Sequence, residues 1–106
     1  MADIFELDAA RSELVPLIAE VWRHCETNGL RGRTVTLKVK YADFHQITRS
    51  QTFISPPASQ GEIEAICFAL IDQVFPIAIG IRLLGVTLSS LVENSDFGAG
   101  QLRPAL

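Results

Sequence analysis

Residues 33–53, RTVTLKVKYADFHQITRSQTF, decide the fold. Within them Val35, Leu37, Val39 and Tyr41 alternate with Thr34, Thr36, Lys38 and Lys40. A period of two puts the apolar set on one side, so residues 34–41 read as a half-buried strand with one face on a core and one face open. The corner Ala42-Asp43-Phe44-His45 turns the chain into a second strand, expected over residues 46–54, and Pro56-Pro57 ends it. The pattern leaves open which way this second strand faces. Ile47 and Phe53 share a side with Arg49 and Gln51, whereas Ile54 shares one with Thr48, Ser50 and Thr52. Turning Ile47 and Phe53 inward leaves Arg49 either reaching round a rim or displaced by a bulge.

On both sides of this ribbon the apolar spacing becomes helical. Over residues 8–28, Leu14, Leu17, Ile18, Val21, Trp22 and Cys25 form a stripe, with Asp8 as the expected N-cap and Gly29 as the stop. Pro16 falls inside the pattern, which predicts a late start or a kink. A second helix opens on Ser59 and Glu62, a capping-box spacing. It continues through Ile63, Ile66, Cys67, Leu70, Ile71 and Val74, and Pro76 closes it. A third strand is expected over 79–89, IGIRLLGVTLS. The class is therefore α+β, ordered helix, hairpin, helix, strand. Two helices with one apolar face each cover only one side of a small sheet, so the other side must face something else. After Leu91 the composition turns to Asn, Ser, Asp and Gly, so residues 1–91 read as the domain and 92–106 as a flexible C-terminal tail.

A length of 106 residues suits one domain, and a 48% apolar share suits a packed core. No apolar run approaches the roughly 20 residues that span a bilayer, and no basic-then-apolar leader opens the sequence. Cys25 and Cys67 sit on apolar helix faces, as reduced cysteines of a cytoplasmic protein do. The net charge is −3, but it is segregated. Arg31, Arg33, Lys38, Lys40 and Arg49 stand against Asp43 alone in residues 31–54, while both flanks are acidic. Such segregation orients a protein on a polyanion. Catalytic chemistry has no support: carboxylates are scattered on helix exteriors, and His24 and His45 have no partner at a useful spacing. No phosphate loop, dinucleotide fingerprint or nucleophile elbow occurs, and no metal or cofactor is expected within the chain.

The open face of the ribbon carries the chemistry. Lys38 and Lys40 lie two residues apart, so their ammonium groups track roughly 6–7 Å apart along the strand, near the spacing of successive phosphates. Thr36, Thr48, Ser50 and Thr52 add hydroxyls, which touch phosphate without reading sequence. The plain alternative is a solvated strand face. Tyr41, Phe44 and Phe53 are not placed as paired exposed aromatics, so contact with duplex backbone fits better than base stacking. Four or five phosphate contacts would give a log–log salt slope of roughly −4.

GRTVTLKVKYADFHQITRSQTF, residues 32–53, followed by GIRLLGVTLSSL, residues 80–91, resembles the little-finger domain of Y-family translesion DNA polymerases, in particular the bacterial DNA polymerase IV type. Asp43-Phe44, Thr48-Arg49-Ser50 and Ile81-Arg82-Leu83-Leu84-Gly85-Val86 carry the likeness, which runs from about residue 8 to 91. It implies a β-α-β-β-α-β domain, with both helices on one face of an antiparallel sheet and the bare face along duplex DNA. The implied DNA contacts are Thr36, Lys38, Lys40, Thr48, Arg49, Ser50, Gln51, Thr52 and Arg82. Leu83 stands where many relatives place a second cation, which thins the grip expected there. Only ADIFELD, residues 2–8, occupies the place of the first strand, so that strand is expected to be missing or partial, with Met1 an introduced start. Catalytic carboxylates and their magnesium would belong to a palm domain outside these 106 residues.

Gln101, Leu102 and Leu106 match the outline of the peptide by which this family docks on the sliding clamp, while Arg103 and Pro104 depart from it. A protein-interaction module, docking the clamp or another partner in place of DNA, is therefore the alternative function. No membrane partner is expected.

Overall fold

Helix α1, Leu7–Asn28, is followed by strands β1, Leu30–Tyr41, and β2, Gln46–Thr52, then helix α2, Gln60–Asp72, and strand β3, Ile81–Glu93. The computed structural model describes residues 3–93. Gln101, Leu102 and Leu106, with all of the expected tail beyond Glu93, lie outside the described residues.

The three strands form one antiparallel sheet in the order β2-β1-β3. Val35, Leu37 and Val39 of β1 are fully buried, as the alternation requires, under Leu14 and Ile18 of α1 and Ile63, Cys67 and Ile71 of α2. Both helices lie on this one face. Arg11 of α1 ties them together through Asp72, 2.6 Å away. The sheet therefore has one dry side and one bare side, and the fold is the expected α+β arrangement. Among the described residues no helix is long and apolar enough to cross a membrane.

Of the expected first strand only one pairing stands: Ile4 and Ile81 exchange both backbone hydrogen bonds, each 2.8 Å long. Because Ile81 also pairs with Tyr41 of β1, this bridge lies on the far side of β3, at one end.

Several boundaries differ from those read in the sequence. The N-cap of α1 is Glu6, and Asp8 falls in the first turn, where its charge suits the helix dipole without capping. The helix runs through Pro16 without starting late. Gly29 ends it at φ 65°, a left-handed conformation that glycine adopts freely, and its N–H reaches the carbonyls of Cys25 and Glu26. Strand β1 begins four residues early because Leu30, Arg31 and Gly32 pair with β3. Strand β3 begins after Gly80 and continues to Glu93, because Leu91, Val92 and Glu93 pair with the early residues of β1. In α2 the Ser59 hydroxyl accepts from the Glu62 N–H at 3.2 Å, while the Glu62 carboxylate accepts from the Ala58 N–H, one residue further back than a capping box predicts.

Candidate nucleic-acid interface

Residues paired across a sheet point to the same side, so register settles the parity of β2. Thr34 pairs with Thr52, Thr36 with Ser50, Lys38 with Thr48 and Lys40 with Gln46. These eight share the bare face. Ile47, Arg49 and Gln51 pair with Val39, Leu37 and Val35, so they belong to the helix side. The β1–β2 ladder is unbroken, which removes the bulge as an explanation for Arg49. Arg49 is exposed because β2 is an edge strand that the helices scarcely cover, and its guanidinium donates to the Thr48 carbonyl at 2.9 Å. Arg49 therefore sits exposed at the sheet's edge on the helix side. Of the implied contacts, Thr36, Lys38, Lys40, Thr48, Ser50 and Thr52 come together, while Arg49 and Gln51 stand on the opposite side of the strand.

Hydroxyls line this face in pairs. Thr34 Oγ1 lies 2.9 Å from Thr52 Oγ1 and 3.2 Å from Ser90 Oγ, and Thr36 Oγ1 lies 3.0 Å from Ser50 Oγ. From β3, Thr87 pairs with Thr36 and Ser89 with Thr34, adding two hydroxyls to this face beyond those singled out in the sequence. Their signal was legible, since Val86 and Leu88 alternate with Thr87 and Ser89.

The five cations of residues 31–54 separate in space. Arg31 turns toward α1, its guanidinium 4.5 Å from the Trp22 ring centre and 3.1 Å from the Glu26 carboxylate. Arg33 donates to the Phe53 carbonyl at 3.1 Å. Lys38 and Lys40 remain on the bare face, and among the described residues neither has an ion-pair partner. Arg82 joins them from β3. Register slips between Lys40 and Tyr41, so Lys40 faces Leu83, Tyr41 faces Ile81, and Arg82 has no opposite residue. The bulge leaves Arg82 and Leu83 exposed in succession, with Arg82 Nε 3.8 Å from Asp3 Oδ1. Nothing in the sequence marks that slip.

Between β1 and β2 the corner is tightly tied. Tyr41 N–H donates to the His45 carbonyl at 2.8 Å and Phe44 N–H to the Tyr41 carbonyl at 2.9 Å. Contrary to the spacing argument, His45 has a partner: its Nδ1 lies 3.2 Å from Asp43 Oδ2. The His45 backbone N–H, reinforced by the imidazole, holds the Asp43 carboxyl below its usual range. Phe44 takes φ 72°, a left-handed conformation that costs a bulky residue about 1–2 kcal/mol. Among the described residues no three His, Cys, Asp or Glu side chains gather as metal ligands. Cys25 and Cys67 are free and buried.

An antiparallel three-stranded sheet with two helices matches the fold of the Y-family DNA polymerase little finger domain. Residues 1–103 match the impB/mucB/samB family C-terminal domain, and the chain belongs to that family. Similar proteins include DNA polymerase IV 3 of Mesorhizobium japonicum, 56% identical over 102 residues, which make up 96% of this chain and 28% of that protein. DNA polymerase IV 2 of Agrobacterium fabrum is 49% identical over 94 residues, 89% of this chain and 26% of that one. The chain thus spans about a quarter of the length of these relatives. Among solved structures, a post-insertion binary complex of Dbh DNA polymerase superposes with TM-score 0.77 at 15% identity, covering 88% of this chain and 27% of that one. A complex of beta-clamp processivity factor and the little finger domain of PolIV gives TM-score 0.68 at 22% identity, covering 100% and 89%.

Proposed function

We propose that this domain is the duplex grip of an error-prone translesion DNA polymerase, holding primer–template by its phosphates without reading sequence. One observation carries the reading: exposed Lys38 and Arg82 and half-buried Lys40, drawn from two strands, stand beside cross-strand hydroxyl pairs on the uncovered side of the sheet. Cations and hydroxyls are the groups that meet phosphate. The exposed aromatics among the described residues are Phe5, in the N-terminal segment, and Phe44, at the β1–β2 corner, so no pair of rings sits on adjacent strands for base stacking. Relatives named as DNA polymerase IV agree with this assignment. Nucleotide transfer, and the magnesium it uses, would belong to parts of the polymerase outside these 106 residues.

The test is a duplex titration at several salt concentrations with oligonucleotides of unrelated sequence. Three cations, in place of the four or five contacts expected from sequence, give a log–log slope of about −3. The double variant Lys38→Ala/Lys40→Ala should weaken binding to all duplexes alike and reduce the slope to about −1. Binding indifferent to salt, or strongly selective for one sequence, would overturn the reading.

A second reading, docking on a sliding clamp, is favoured by the structural neighbour solved with the beta-clamp processivity factor. Gln101, Leu102 and Leu106 would supply the peptide. Removing residues 101–106 should abolish clamp binding and spare duplex binding. Clamp binding that survives the deletion would exclude these residues as the docking peptide.

A further inference from the structure

Phe44 belongs to no part of the core: the residue is 67% exposed, and its backbone occupies the left-handed region that glycine or asparagine usually takes. Hydrogen bonds from Tyr41, Phe44 and His45 fix this conformation, which swings the ring out at the end of the bare face. Two cations meet it there. Lys40 Nζ lies 5.5 Å and Arg82 Cζ 5.1 Å from the ring centre. They come from different strands, and the bulge at Arg82 sets the second one beside the first. Like charges repel, and Asp3 offers Arg82 a competing carboxylate at 3.8 Å. An aromatic face attracts each cation through its quadrupole while neutralising neither.

We propose that Phe44 is a positioning residue of the interface: its ring holds Lys40 and Arg82 together so that both close on one phosphodiester. This rests on the duplex-grip reading above. Without the ring, the long Lys40 stem is free to wander and Arg82 turns to Asp3, so the paired charge is lost although both residues remain.

Variants at position 44 separate positioning from folding. Glycine adopts φ above zero without a steric penalty, so Phe44→Gly should melt no lower than wild type. Losing two exposed cation–π contacts should nevertheless weaken duplex binding about tenfold and flatten the salt slope by about 1. Phe44→Leu, which keeps apolar bulk without the quadrupole, should behave likewise, whereas Phe44→Trp should bind at least as tightly as wild type. Adding Arg82→Gln to Phe44→Gly should cost much less than Arg82→Gln alone. Wild-type binding by Phe44→Gly at every salt concentration overturns the proposal. So does weakened binding with an unchanged slope and a full additional Arg82→Gln effect, which would mean that the ring touches DNA itself. Wild-type protein that fails to bind duplex in the same titration overturns the grip reading, a result distinct from either of these.

Discussion

Lys38 of β1 stands opposite Gly85 of β3, and a Cβ on that glycine would lie 3.7 Å from the lysine Cβ. The glycine thus leaves one flank of the lysine uncovered on the bare face. At that distance a methyl group makes ordinary contact, so Gly85→Ala should fold and bind duplex much as wild type does. Gly85→Glu places a carboxylate across from the ammonium, where opposite charges on paired strand positions attract. Duplex affinity should fall several-fold and the salt slope should flatten by about 1, read by anisotropy at three or more salt concentrations.

Gly32 is needed for space. A Cβ there would meet Leu88 Cβ at 2.7 Å, and an atom next to the backbone cannot swing aside as a side-chain tip can. Gly32→Ala should therefore destabilise the fold by about 1–3 kcal/mol, measured by urea denaturation.

Capping of α2 is separable from the interface. Ser59→Ala removes the acceptor for the Glu62 N–H and should cost about 1 kcal/mol of stability. Ser59 lies at the start of a helix on the dry side of the sheet, so duplex binding by the folded fraction should be unchanged.

Burial in α2 pushes the Cys67 thiol from an ordinary 9.0 up to about 12, with a smaller push from Glu64. The fold favours the neutral thiol, while the unfolded chain ionises near 9.0. Stability from this group is therefore complete below pH 9.0 and is lost progressively as pH rises toward about 12. Wild type should lose stability faster than Cys67→Ala across that interval, seen as converging urea midpoints. Below it, the native thiol should react with disulfide reagents only as fast as the protein opens.

Much of the fold was legible because its signals are local. The alternation of Val35, Leu37 and Val39, the stop at Gly29 and the Ser59 cap each depend on neighbours in sequence, and each stands in the structure. Arg31 misled for the opposite reason. Counted along the chain it joins Lys38 and Lys40, but Trp22 and Glu26, both on α1, draw it to another side. Arg49 shows how an edge strand blurs parity, since a charged residue tolerates the inner side where no helix covers it. The bulge at Arg82 depends on register against β1, a long-range property, and the proposed role of Phe44 depends in turn on that bulge.

Where two hydroxyls meet, as in Thr34 with Thr52 and Thr36 with Ser50, neither is fixed as donor. Rotating the two hydroxyl protons lets either oxygen's hydrogen turn outward without moving a heavy atom. If this face grips duplex as proposed, such a surface would offer the next phosphate of an advancing strand the same welcome as the last. Grip and translocation would then be compatible, because holding on would create no detent that a moving strand must climb out of.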